Sequence, residues 1–297
     1  MKDTFNIKGV ICPMVTPFDK GNHIDHDCAR RVVDFLVGKG IAALMVAGTT
    51  GEGMLLSLAE RKALCEVVVE QVRGRAAVIA HTGCIGTADT IDLTRHAASA
   101  GATAASVIVP YFFSFEDDSI FEHYVSIATA VPDFPVLIYA FPGNAKNDVS
   151  PRLLGRLLGA APNIVGAKIT DPNLLRLQEY QEVGGDEFAI FFGGDGLMLP
   201  ALALGVQGQV SGNANVFPEI FCCLYDTFMA GNIEGARKQQ RLINRVRWLL
   251  RDGLHPAYFK AGLKLRGIPA GFVRPPMREL SPEEFGELER GMLEFET

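Results

Sequence analysis

The chain has 297 residues, 48% hydrophobic and 21% charged, with a formal net charge of −6. This is the composition of a globular protein, and its acidic balance argues against a nucleic-acid partner, whose phosphates require a basic face. No stretch approaches the ~18 uninterrupted apolar residues of a membrane span, and the opening MKDTFNIKGVIC lacks a basic segment followed by a long apolar one.

Six cysteines (Cys12, Cys28, Cys65, Cys84, Cys222 and Cys223) stand in apolar or helical contexts. They read as reduced thiols of a cytoplasmic protein rather than a disulfide scaffold. The six histidines are scattered, with no pair at i, i+4 and no CxxC, so no metal is expected.

In chain order, short apolar runs rich in β-branched residues predict strands at 10–15, 43–47, 77–81, 105–109, 136–139, 164–169, 188–192 and 208–211. Helix signals fall between them. Ser57 and Glu60 form a capping box for a helix running to about residue 71. Ser150 precedes a proline at the first helical position, Pro151, and Pro218 opens the segment after the eighth strand in the same way.

Strands alternating with helices imply right-handed crossovers and a parallel sheet. Eight such units in about 225 residues fit an α/β fold of the closed (β/α)8, or TIM, barrel type better than an open doubly wound sheet. Beyond them only helix-like stretches remain, notably 234–251 and 282–294. Residues 1–224 are therefore expected to form a barrel carrying the active site, and 225–297 a C-terminal helical appendage packed on it.

In a barrel of this kind the chemistry sits at the C-terminal ends of the strands. Strand two is followed by Gly48-Thr49-Thr50-Gly51-Glu52-Gly53, and strand five ends in Tyr139 with Pro142-Gly143 beyond. Strand six carries Lys168 with Thr170 two residues on, and strand seven leads into Gly193-Gly194-Asp195-Gly196. Strand eight carries Val210, followed by Gly212 and Asn213.

A lysine in the run NIVGAKIT is out of place as a structural residue, because burying an ammonium is costly. Facing an apolar barrel mouth, desolvation favours its neutral amine, a nucleophile for a carbonyl that yields a Schiff base. Iminium formation moves protons on and off the carbinolamine oxygen, and Tyr139 with Thr49 and Thr50 are the hydroxyls available. The Gly-rich run could instead cradle a phosphate. However, no Gly-Lys-Ser/Thr follows it, and the turn at 193–196 lacks GxGxxG spacing. Glu52 is expected to bond the backbone amides of its own turn.

Taken in order, several motifs resemble the dihydrodipicolinate synthase / N-acetylneuraminate lyase family of pyruvate-type Schiff-base aldolases over nearly the whole chain. They are GVICPMVTPF at 9–18, GTTGEG at 48–53, VPY at 109–111, the YxxP of Tyr139 to Pro142, the GxK ending at Lys168, and the segment ending in SGNANVFPE at Glu219. The resemblance implies that Lys168 forms the Schiff base, that Tyr139 donates and accepts the proton beside it, and that Thr49 and Thr50 hold the keto-acid carboxylate and relay protons. It implies Val210 on the other side of that pocket. Gly48, Thr170, Gly194, Gly212 and Asn213, from their places at the strand ends, are expected to complete the substrate-binding set. The resemblance also implies a homotetramer built as a dimer of dimers, with no metal or organic cofactor.

Two places depart from the family's pattern. Synthases that condense pyruvate with aspartate semialdehyde carry an arginine shortly after YxxP, where this chain has Asn144. The family's relay tyrosine, two places after the proline of VPY, is Phe112 here. The favoured expectation is a lyase forming or breaking a pyruvate or 2-keto-3-deoxy sugar-acid-like substrate through a lysine iminium. A dihydrodipicolinate synthase with an altered carboxylate clamp and a non-catalytic keto-acid-binding barrel are the alternatives.

Overall fold

The computed structural model describes residues 5–253 and 255–295. Eight parallel strands among them close into a barrel in sequential order: β1 (Gly9–Pro13), β2 (Ala43–Val46), β3 (Ala77–His81), β4 (Ala104–Ile108), β5 (Val136–Ala140), β6 (Ile164–Ile169), β7 (Ala189–Phe192) and β8 (Gly208–Val210). The TIM-barrel expectation holds, and each predicted strand lies within two residues of its place. β2 stops at Val46 because Ala47 turns left-handed, with φ 56°. β1 gives out at Pro13, whose ring removes the N–H a ladder needs.

The helices are α1 (His26–Gly38), α2 (Leu58–Val72), α3 (Thr87–Ser99), α4 (Asp117–Ala130), α5 (Pro142–Ala145), α6 (Pro151–Ala160), α7 (Leu175–Gly184), α8 (Met198–Ala203), α9 (Pro218–Met229), α10 (Ile233–Leu249), α11 (Pro256–Leu265) and α12 (Pro282–Met292). Both halves of the Ser57–Glu60 capping box form, at 3.2 and 2.8 Å. Ser150 caps α6 through the Leu153 amide at 3.1 Å. α9 runs across residue 225, the expected boundary, and α10 to α12 follow as the C-terminal helical part.

Strands covered on both faces need no polar alternation, which is why they read as continuous apolar runs. One set of side chains fills the barrel interior: Ile11, Met45, Ile79, Leu137, Val165, Phe191 and Val210, with Phe5 and Ile7 packed against them. The other, including Val46, Val107, Ile138 and Ala167, packs under the helices. Burying each large aliphatic contributes ~1.5–3 kcal/mol.

β6 departs from simple alternation where it matters. Val136 pairs with Ile164 but Leu137 with Gly166, so β6 carries one extra residue at Val165. Past this irregularity Ala167 and Ile169 pack outward, and Lys168 stands level with Tyr139. Gly166 is required there: a Cβ would meet the Ala189 carbonyl oxygen at 2.3 Å.

Candidate active site

The C-terminal ends of the strands surround a cavity of about 340 Å³. Its lining includes Thr49, Thr50, Tyr139, Lys168, Thr170, Gly194, Val210, Gly212 and Asn213, all placed at the barrel mouth by sequence reasoning. Gly48 is outside the lining; its carbonyl accepts from the Gly53 amide at 3.0 Å and closes the loop that presents the two threonines. That loop is tight, since a Cβ on Gly53 would lie 1.8 Å from the Ala47 carbonyl oxygen. A larger cavity, about 830 Å³, opens among Phe18, α11 and α12, away from these strand ends, so size alone does not mark the site.

Among the described residues two lysines are buried, and they are held differently. Lys260 bonds Glu52 at 2.6 Å, with both side chains almost fully enclosed. Burial pushes Lys260 down from its ordinary range, against the opposing pull of Glu52. Lys168, 6% exposed, lies over the Tyr139 ring, its Nζ 3.9 Å from the centroid. The Tyr139 hydroxyl and Thr49 Oγ1 share a hydrogen bond of 3.4 Å. Beneath them, His81 meets the Tyr139 ring edge-on at 5.8 Å. Burial, with the Arg61 guanidinium next, holds His81 well below the usual imidazole range, so Tyr139 has a neutral neighbour. Arg61, itself buried, donates to the His81 and Gly83 carbonyls and fixes the loop after β3.

Glu52 corrects its expectation. It bonds no amide of its own turn; it accepts from Lys260 Nζ and from the Arg274 amide at 2.9 Å. The loop bearing Thr49 and Thr50 is thus tied to the C-terminal part of the chain. On the other side, buried Asp195 accepts from Gln209 at 2.8 Å, Ser211 at 2.7 Å and Asn213 at 2.6 Å, joining the turn after β7 to β8. Burial raises the Asp195 carboxyl above its usual range despite these bonds.

Asn144 lines the cavity, and exposed Lys146 does not. Phe112 is outside the cavity lining, 72% exposed, with a left-handed φ of 77°. Sequence reasoning missed four lining residues contributed by the C-terminal part: Arg247, Asp252, Gly253 and Phe259. No local motif announces them; their place depends on how α10 and α11 pack on the barrel.

The arrangement joins a buried amine, a phenol at its side and threonine hydroxyls on a rigid loop. It also agrees with what the chain is similar to. Residues 6–293 match the model of the dihydrodipicolinate synthetase family. Over 283 residues the chain is 36% identical to the 4-hydroxy-tetrahydrodipicolinate synthase of Thermus thermophilus, covering 95% of this chain and 94% of the synthase. It is 34% identical to the N-acetylneuraminate lyase of Rhizobium meliloti, covering 95% and 93%. The crystal structure of dihydrodipicolinate synthase from Aquifex aeolicus superposes with a TM-score of 0.92 at 30% identity, over 97% of this chain and 98% of that one. A barrel that brings its strand-six lysine beside its strand-five tyrosine, matched from end to end by these relatives, belongs to the dihydrodipicolinate synthetase family.

Proposed function

We propose that this protein is a class I aldolase-type lyase that forms a Schiff base between Lys168 and a pyruvate-like 2-keto acid, the substrate being a 2-keto-3-deoxy sugar acid or close analogue. The observation that carries this reading is Lys168 buried against Tyr139, whose hydroxyl is bonded to Thr49. The Lys168 amine adds to the C2 carbonyl, and Tyr139 moves protons to and from the carbinolamine oxygen as water leaves. The resulting iminium draws electrons from the C3–C4 bond as the C4 hydroxyl gives its proton to Tyr139. The bond breaks to release an aldehyde and leave an enamine, which is protonated at C3 and hydrolysed to the 2-keto acid and free Lys168. Thr49 and Thr50 hold the keto-acid carboxylate, with Val210 on the other side of that pocket. Thr170, Gly194, Gly212 and Asn213 border the space for the rest of the substrate.

Relatives bear both synthase and lyase names, so the second substrate is read from the cavity. Asn144 stands where a synthase arginine would clamp a carboxylate, and asparagine cannot replace a bidentate guanidinium. This favours a hydroxylated tail over aspartate semialdehyde. The loops after β2, β3 and β4 expose Met54, Ile85, Phe112 and Phe113, an apolar surface suited to a second copy in a homotetramer. Six free thiols support a cytoplasmic setting.

The test is pyruvate with borohydride followed by peptide mass, then turnover of a 2-keto-3-deoxy sugar acid panel beside aspartate semialdehyde. One adduct on Lys168 and cleavage of a sugar acid are expected. Fixation elsewhere sinks the lysine assignment; preference for aspartate semialdehyde promotes the synthase; no fixation leaves a keto-acid-binding barrel.

A further inference from the structure

One wall of the Lys168 cavity is not built by the barrel. Arg247 of α10 and Asp252 of the turn after it reach the lining, joined Nη2 to Oδ1 at 2.6 Å. Arg247 also lines a second cavity, of about 330 Å³, which shares Phe141, Thr170, Gly194 and Asp195 with the first. The guanidinium therefore stands where one space gives onto the other.

Both side chains are placed rather than trailing. A Cβ on Gly196 would fall 2.0 Å from Arg247 Nη1, so the guanidinium packs closely against that glycine. Asp252 sits in a run of three left-handed residues, with φ of 54°, 55° and 74° at 251, 252 and 253, of which only the last is glycine. Such backbone persists where its surroundings hold it, and it gathers at ligand sites. Nearby, Asn213 contributes a buried Oδ1 with no donor, its amide nitrogen being spent on Asp195.

We propose that Arg247 and Asp252 together recognise the hydroxylated tail of the keto acid, as a subsite extending from Lys168 past Thr170 toward the second cavity. The proposal rests on the Schiff-base reading of Lys168. Paired, the two offer N–H donors beside a carboxylate acceptor, and adjacent hydroxyls both donate and accept. Their charges cancel, so a second carboxylate on the substrate finds no free cation. Asp171 on the second cavity adds a negative charge against it.

The experiment compares wild type with Arg247→Met and Asp252→Asn on three probes. These are 2-keto-3-deoxygluconate, the tail-less 4-hydroxy-2-oxopentanoate, and 4-hydroxy-2-oxoglutarate, which carries a second carboxylate. Each is read as KM and kcat and as competition against borohydride fixation of pyruvate. Both variants should raise KM for the long polyol acid by about 10–100-fold, the loss expected for hydrogen bonds to charged groups. kcat should move far less, and the tail-less acid should change little. Asp252→Asn should also shift the preference toward the dicarboxylate, because it frees the guanidinium.

Equal losses on long and tail-less acids would make the pair structural and overturn the subsite. So would unchanged binding of the long acid, or a wild type that fixes pyruvate while the long acid fails to compete. A wild type that fixes no pyruvate instead overturns the reading of Lys168.

Discussion

Tyr139 and Lys168 are register partners on adjacent parallel strands, and the lysine amine rests 3.9 Å from the centre of the tyrosine ring. Pairing at one level of a parallel sheet points both side chains to the same face. The relation is held by the ladder itself, not by a mobile loop, so amine and phenol approach any bound carbonyl together.

Lys168→Ala should abolish turnover and borohydride fixation of pyruvate while the fold survives. Relieving a buried amine offsets the lost ring contact, so the melting temperature should hold or rise. Circular dichroism with intact mass checks both; a residual pyruvate adduct would move the nucleophile to another lysine.

Tyr139→Phe keeps the ring under the lysine and removes only the hydroxyl shared with Thr49. kcat should fall about 10²–10⁴-fold, the range for a positioned acid–base group. Steady-state kinetics reads it, and near-normal turnover would assign the proton to water or another hydroxyl.

Lys260→Met strands the fully buried Glu52 carboxylate without its cation, and should cost about 3–5 kcal/mol. Adding Glu52→Leu should recover most of that stability, since a buried pair gains little over packed apolar groups. The double variant should still lose activity, because Glu52 anchors the Thr49–Thr50 loop through the Arg274 amide. Urea melts with parallel kinetics separate the two effects; full activity in the double variant would remove the anchoring role.

Glu60 gives the acid limb of stability a specific contributor. Its hydrogen bonds to Arg274 hold the carboxyl down to about 2, from 4.5. In the unfolded chain it titrates near the higher value, so its contribution is complete above about pH 4.5 and fades as pH falls toward 2. At a side chain 31% exposed, screening leaves about 1 kcal/mol. Glu60→Gln should lower the urea midpoint at pH 7, and the gap to wild type should shrink below pH 4.5 and close as pH reaches about 2. A constant gap across that range would exclude charge as the cause.

The barrel was legible because its signals are local. Doubly covered strands are apolar runs, and Ser57, Ser150 and Pro218 mark helix starts within a few residues. The lysine's inward aim was legible only through its chemistry. The extra residue at Val165 that resets β6 cannot be counted from alternation. α11 was not singled out: seven of its ten residues are buried, which leaves little amphipathic pattern to find. The Glu52–Lys260 pair spans 208 positions, and Arg247 reaches the cavity from a helix outside the barrel. Such contacts exist only after packing, and no short window of sequence contains them.

The distance between Glu52 and Lys260 along the chain also bears on how the protein comes into being. β1 closes the barrel on β8 through Gly9 and Gly208, and Glu52 in the threonine loop is tied to Lys260 and Arg274 near the far terminus. Contacts of such long separation are slow to form. On the ribosome, a nascent chain that has already emerged through Asn213 holds every strand-end residue yet lacks the anchor for Thr49 and Thr50. Until the last segment docks, the chain carries the parts of an active site without its alignment, and it exposes apolar surface while it waits.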